Sequence, residues 1–230
     1  MVTVIIAAAG QGKRMGKGTN KVFLALDNRP LLMHTLDIFE KCGVVDQIIV
    51  VVGEADVLVL QKLIVEYGYR KITDVVEGGA ERQHSISNAL HKVSLDTETI
   101  LIHDGARPLI TEQLVRQVLA TAQESGAAIA AVPVKDTIKV ADKEGFVVET
   151  PERAHLWAVQ TPQAFRRDIL HRAYQVAEQD GCVATDDAGL VERIGMKVRL
   201  VMGDYNNLKI TTPEDLIIAE AVIKGRKQCE

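Results

Sequence analysis

The feature that most limits the fold is a set of short runs that are apolar at every residue, not at every second one. Ile48-Ile49-Val50-Val51-Val52 is the clearest of them. Val2–Ala8, Gln47–Val52, Thr99–His103, Ala127–Val134 and Val198–Met202 are the candidate strands. A strand with one wet face alternates apolar and polar residues, so an unbroken apolar run needs cover on both faces, as in a mostly parallel sheet. Between these runs the period becomes helical. Thr111 can cap a helix whose Leu114, Val115, Val118, Leu119 and Ala122 share one face, with Gly126 just past its end. Thr212-Pro213-Glu214-Asp215 offers a cap, a proline at the first helical position and acids in the first turn. Lys41-Cys42-Gly43 and Gln179-Asp180-Gly181 read as helix ends. The expected fold is α/β, a Rossmann-like, mostly parallel sheet with helices on both faces.

One stretch breaks the alternation. Thr137–Thr150 places Ile138 and Val140 before Asp142-Lys143-Glu144-Gly145, and Phe146 and Val148 after it. Two short alternating runs around a glycine-bearing turn predict a protruding β-hairpin arm. It is too short to hold a core, so it lies on its parent domain or reaches a second subunit. No repeat, low-complexity tract or Pro/Ser-rich linker divides the rest, and residues 1–230 read as a single domain carrying that arm at 137–150.

Composition removes several function classes. A chain of 230 residues, 47% hydrophobic and 25% charged, can build one sizeable core. A net charge of -4 argues against nucleic acid as the main partner, since such proteins usually carry a basic excess. No apolar run nears the ~20 residues of a membrane span, and Met1-Val2-Thr3-Val4-Ile5-Ile6 reads as a buried strand, not a signal peptide. Cys42, Cys182 and Cys229 form no CxxC pair, which points to a reduced, cytoplasmic setting.

The first strand runs into Ala8-Ala9-Gly10-Gln11-Gly12-Lys13-Arg14-Met15-Gly16. This is not a P-loop, because no suitably spaced Gly-Lys precedes Ser or Thr. Nor is it the dinucleotide fingerprint: Gly10 and Gly12 fit, the third glycine falls one residue late, and no helix begins until about Pro30. What remains is a glycine-bearing loop with Lys13, Arg14, Lys17 and Lys21 at a strand's carboxyl end, where open α/β sheets bind ligands. Backbone N–H groups freed by the glycines and four cations suit a triphosphate.

Ala7-Ala8-Ala9-Gly10-Gln11-Gly12-Lys13-Arg14-Met15 with Asn20-Lys21 resembles the signature of sugar-phosphate nucleotidyltransferases. Further segments follow in order: Gly78-Gly79-Ala80-Glu81-Arg82-Gln83-His84-Ser85, His103-Asp104-Gly105-Ala106-Arg107-Pro108, Val159-Gln160-Thr161-Pro162-Gln163, Thr185-Asp186-Asp187 and Asn207-Leu208-Lys209-Ile210-Thr211-Thr212-Pro213-Glu214-Asp215. Together they are similar to the methylerythritol phosphate cytidylyltransferase family of the non-mevalonate isoprenoid route. The resemblance implies a nucleotidyltransferase fold and a homodimer that takes small-molecule substrates, CTP and a sugar-alcohol phosphate, with Mg²⁺ as cofactor. It implies that Arg14 and Lys21 contact the triphosphate, that Gly10 and Gly12 offer N–H groups, and that Arg82 and Ser85 help recognise cytidine. Ala8, Ala9, Lys13, Gly79 and Ala106 complete the implied nucleotide site, and Asp104 is the implied metal ligand, close to nucleotide and acceptor. Thr137, Arg153, Thr161 and Lys209 are implied around the acceptor, with Arg14, Lys21, Arg153 and Lys209 as the catalytic cations. Two positions depart from the family: Asn20 stands where many relatives have proline, and Ala80 where an acid is usual.

The chemistry agrees with these residue types. Joining two phosphates needs positioning and charge neutralisation more than covalent help. The attacking phosphate oxygen is already ionised near neutral pH, so no general base is required, and no Ser-His-Asp or Cys-His arrangement is recognisable. His34, His84 and His103 lack metal-ligand spacing and read as packing or hydrogen-bonding residues; Trp157 reads as packing, and Thr185-Asp186-Asp187 as a helix start. Ribitol-phosphate cytidylyl transfer and a non-catalytic nucleotide-binding module are the alternatives.

Overall fold

The computed structural model describes residues 1–10 and 20–229. Its main sheet has seven strands: β1 (Val2–Ala7), β4 (Gln47–Val52), β5 (Ile72–Glu77), β6 (Thr99–Asp104), β7 (Ala127–Pro133), β10 (Trp157–Arg166) and β11 (Arg199–Met202). Their order across the sheet is β11-β7-β10-β6-β1-β4-β5. Every pairing is parallel except the two made by β10. Two short pairs stand apart, β2 (Ala25–Leu26) with β3 (Arg29–Pro30) and β8 (Val140–Ala141) with β9 (Val147–Glu149).

Burial explains the unbroken apolar runs. Ile48 through Val52 are each 0% exposed, because neighbouring residues feed different cores. Val4, Ile6, Val50 and Val52 belong to one core, and Ile5, Ile49 and Val51 to the other. Helices α1 (Leu31–Lys41), α2 (Val57–Tyr67), α4 (Glu112–Ser125) and α7 (Pro213–Cys229) cover the first face; α3 (Arg82–Leu90), α5 (Arg167–Gln179) and α6 (Asp187–Arg193) cover the second. Fully burying each such Val or Ile contributes roughly 1.5–3 kcal/mol, so a charge placed on β4 would be intolerable whichever way it pointed.

The end signals operate as the sequence predicts. Thr111 Oγ1 accepts the Leu114 N–H at the start of α4, and Gly126 closes it with φ +87°. Asp215 Oδ2 accepts the Thr211 and Thr212 N–H groups ahead of α7. The hairpin turn closes through Gly145 at φ +90°, with Asp142 Oδ1 accepting the Phe146 N–H.

Strands β5 and β10 are absent from the sequence expectation. Thr73 and Asp74 break the apolar run of β5, which is tolerated because β5 is an edge strand. In β10, Gln160, Thr161, Pro162 and Gln163 look like a loop, but the register shifts between Val159 and Gln163. The polar residues sit where the regular ladder is interrupted, facing the cleft described next.

Candidate active site

Ala7, Asp104 and Glu77 mark the carboxyl ends of β1, β6 and β5, and the chain order reverses about β1. Ligands of open α/β sheets bind at such a reversal. A cleft of about 630 Å³ opens there, lined among others by Ala8, Gly10, Lys21, Gly79, Ser85 and Ala106. A second cleft of about 410 Å³ is lined by Arg107, Gln160, Thr161, Gln163, Asp186 and further residues. Arg82, Asp104 and Lys209 line both. The two clefts therefore meet at one carboxylate and two cations.

The walls are built locally. A Cβ on Gly78 would overlap that of Ala9, and one on Gly79 would come within 2.5 Å of His84 Cβ, so only glycines let this loop close on the first strand. Ser85 Oγ accepts the Gly79 N–H at 3.0 Å and donates to Glu81 O at 3.1 Å. The hydroxyl implied in cytidine recognition thus also shapes the loop. The Asn20 side chain is built into the wall: its Nδ2 donates to Ala8 O and to Asp56 Oδ2, each at 2.9 Å, and its Oδ1 accepts the Val22 N–H at 3.3 Å. It thereby holds the short turn that presents Lys21, whose Nζ donates to Ile210 O at 2.8 Å.

Asp104, 6% exposed, is the electrostatic centre. Its Oδ2 meets Lys209 Nζ at 3.0 Å and Arg107 Nε at 3.2 Å, while Oδ1 faces Arg82 Nε at 3.8 Å. Burial pushes this carboxyl up, but Lys209, Arg82 and Arg107 together hold it well below the usual carboxylate range. Arg107 is pushed down by burial more than Asp104 restores, yet a guanidinium stays protonated. Arg82 is in turn held by Asp187, 1% exposed, whose Oδ2 accepts from Arg82 Nη2 at 2.7 Å and whose Oδ1 accepts from Tyr174 Oη at 2.6 Å. Asp186 caps α6 by accepting the Gly189 N–H at 3.0 Å. The helix-start reading of Thr185-Asp186-Asp187 holds, with Asp187 doing a second job.

A family model described as "IspD: 2-C-methyl-D-erythritol 4-phosphate cytidylyltransferase" matches residues 2–225. A protein of that name from Alkaliphilus oremlandii (strain OhILAs) is 49% identical over 98% of this chain and 96% of its own length. One from Alkaliphilus metalliredigens (strain QYMF) is 51% identical, covering 100% of this chain and 97% of its own. The crystal structure of 4-diphosphocytidyl-2C-methyl-D-erythritol synthase from Anaerococcus prevotii DSM 20548 superposes with a TM-score of 0.86 at 32% identity, covering 97% of this chain and 98% of that one. The chain belongs to the 2-C-methyl-D-erythritol 4-phosphate cytidylyltransferase family.

The residues implied by the family resemblance fall into four groups. Ala8, Ala9, Gly10, Lys21, Gly79, Arg82, Ser85, Asp104, Ala106 and Lys209 line the larger cleft. Gly12, Lys13 and Arg14 lie outside the described residues. Thr137 and Arg153 line neither cleft: both are exposed beside the hairpin, and Arg153 Nη1 donates to Lys135 O at 2.9 Å. Thr161 lines the smaller cleft, but its hydroxyl is already engaged, accepting the Asp104 N–H at 3.0 Å and lying 3.0 Å from His103 Nδ1.

Sequence reasoning missed Arg107, Asp187 and Asn207. Arg107 was available in the Asp104 motif at i+3, whereas no spacing shows that Asp187 meets Arg82. Asn207, 0% exposed, donates through Nδ2 to Thr161 O at 2.8 Å and Gln160 Oε1 at 3.2 Å, while its main-chain carbonyl accepts from Arg107 Nη1 at 2.7 Å. It ties the irregular part of β10 to the segment carrying Lys209.

Buried His103 sets an acid limit on stability. Desolvation lowers its pKa from 6.5 to about 4, against the opposing pull of Asp104. As pH falls from 6.5 towards 4 the unfolded chain takes a proton that the folded chain refuses, so stability falls in that window. The expected loss between about pH 7 and about pH 5 is ~2 kcal/mol from this residue. Urea unfolding at the two pH values checks it; a His103→Phe chain should lose that part of the slope. Asp104 acts in the same direction but lower, because a depressed carboxyl loses its stabilising effect only below the ordinary carboxylate pKa of 3.8.

Proposed function

We infer that this chain transfers the cytidylyl group of CTP to 2-C-methyl-D-erythritol 4-phosphate, releasing pyrophosphate, in the non-mevalonate isoprenoid route. The observation that carries the reading is the meeting of two clefts at Asp104, Arg82 and Lys209. CTP fits the larger cleft and the acceptor's phosphate approaches from the smaller. An acceptor phosphate oxygen forms a bond to the α-phosphorus as the bond to the bridging oxygen of pyrophosphate breaks, and no covalent enzyme intermediate forms. Both reagents are anions. At ~4 Å and an effective dielectric near 20, each cation beside them contributes about 4 kcal/mol of attraction. Lys209 and Lys21, joined through the neighbouring Ile210 carbonyl, hold that charge at the cleft.

Mg²⁺ is part of the proposal. Among the described residues no group of three or more His, Cys, Asp or Glu side chains could enclose a metal. Asp104 Oδ1, with Arg82 Nε at 3.8 Å beyond hydrogen-bond length, fits an ion held by one carboxylate, substrate phosphates and water. When bound, the ion supplies further charge neutralisation at the phosphates. A pyrophosphate-release assay with CTP, Mg²⁺ and the acceptor tests the whole reading. Turnover with the named acceptor and little with ribitol 5-phosphate is expected; CTP binding without release would instead favour a nucleotide-binding module.

The acceptor site is proposed to be completed by a second copy of the chain, in the cytoplasm. Thr137 and Arg153 lie beside the arm and away from their own clefts, and Phe146, Val147 and Val148 on it are 72%, 58% and 61% exposed. Exposed large apolar side chains of this kind suit a partner. Deleting residues 140–148 is expected to abolish both dimerisation, read by sedimentation, and activity. A fully active monomer would end the proposal.

A further inference from the structure

His103 has 0% of its surface exposed, so neither substrate touches it. Its ring nevertheless connects the parts of the chain that aim the charged groups. Beyond Ile102 the antiparallel ladder between β6 and β10 stops, because β10 changes register between Val159 and Gln163. The Asp104 N–H, which a regular β10 would have bonded through a carbonyl, instead donates to Thr161 Oγ1 at 3.0 Å. With that oxygen accepting, the Thr161 hydroxyl is free to donate to His103 Nδ1, 3.0 Å away. Nδ1 is then the bare nitrogen, and Nε2 carries the proton towards Arg107 O at 3.3 Å. One tautomer satisfies every group in the chain of bonds. The turn from Asp104 to Arg107, closed by Arg107 N–H to Asp104 O at 3.0 Å, is thus tethered at both ends to one imidazole.

We propose that His103 is a positioning residue for the transfer, fixing through the Thr161 hydroxyl and the Arg107 carbonyl the turn that aims Asp104 at the junction of the clefts and Arg107 into the smaller one. The proposal rests on the cytidylyltransferase reading for its activity readout, but its geometric half can be tested without any reaction. Long-range ¹H–¹⁵N spectra of the full chain should show the His103 ring protonated at Nε2 and bare at Nδ1. Thr161→Val should shift the Nδ1 resonance and leave Nε2 protonated. A ring protonated at Nδ1 overturns the proposal, even if the enzyme turns over CTP as described.

The kinetic half uses His103→Phe, which keeps the ring packing 5.1 Å from Phe39 but loses both hydrogen bonds. It is expected to lower kcat about 10- to 100-fold with KM for both substrates within about threefold, the size expected for misplacing reactive groups by an ångström or less. The Thr161→Val effect should add less than fully to it, because both break the same tether while Val alone also leaves the Asp104 N–H without its acceptor. His103→Asn, whose amide oxygen can replace Nδ1 as acceptor, should recover part of kcat. Equal kcat in parent and folded His103→Phe, or fully additive losses in the double variant, would reduce His103 to a packing residue. If His103→Phe does not fold, the Asn variant and the spectra still decide.

Discussion

Lys209→Ala is expected to lower kcat by about 10²- to 10³-fold, with the melting temperature nearly unchanged. Lys209 Nζ lies 3.0 Å from Asp104 Oδ2 at the border of both clefts, where the proposed function has the attacking and the attacked phosphates brought together. Its charge is needed most when the two anions are closest, so the loss falls mainly on the chemical step and less on KM. The side chain is 41% exposed, and Asp104 keeps Arg107 and Arg82, so little folding energy goes with it. Steady-state pyrophosphate release and thermal unfolding check the two halves separately. Lys21→Ala should behave in the same way. A kcat loss below about tenfold, or matching losses of stability and activity, would remove these lysines from the reaction.

Asp187→Ala is expected to cost about 3 kcal/mol of folding stability, the largest single effect foreseen for a residue that does not touch the reacting phosphates. The carboxylate is 1% exposed and accepts from Arg82 Nη2 and Tyr174 Oη, so its removal leaves a guanidinium and a phenol without their shared acceptor. The value lies at the low end of what breaking a buried pair costs because the Arg82 side chain is 29% exposed and can reach water. Arg82 would also be left with Asp104 as its ion-pair partner, moving it across the boundary of the clefts, so KM for CTP should rise. Urea unfolding midpoints at constant m-value report the first effect. A stability change under about 1 kcal/mol would show that water replaces Asp187 easily. Asp187→Asn, which still offers an oxygen to Arg82, should fall between the two.

What the sequence determined by itself was whatever depends on neighbours along the chain. Period and composition settle β1, β4, β6, α4 and the hairpin turn, because burial on two faces, an apolar stripe or a glycine at positive φ leaves a local mark. The ordered motifs around Gly10, Arg82, Asp104 and Lys209 carry the family for the same reason. Strand β10 escaped because its central residues are chosen for a pocket and not for a ladder. What only the tertiary structure decided was which charges meet. Asp187 reaches Arg82 across 105 residues, Asn207 reaches Thr161 across 46, and Thr161 reaches Asp104 across 57. No spacing rule encodes such pairs, since their energy arises from desolvation and from a geometry that exists only once seven strands have brought their ends together.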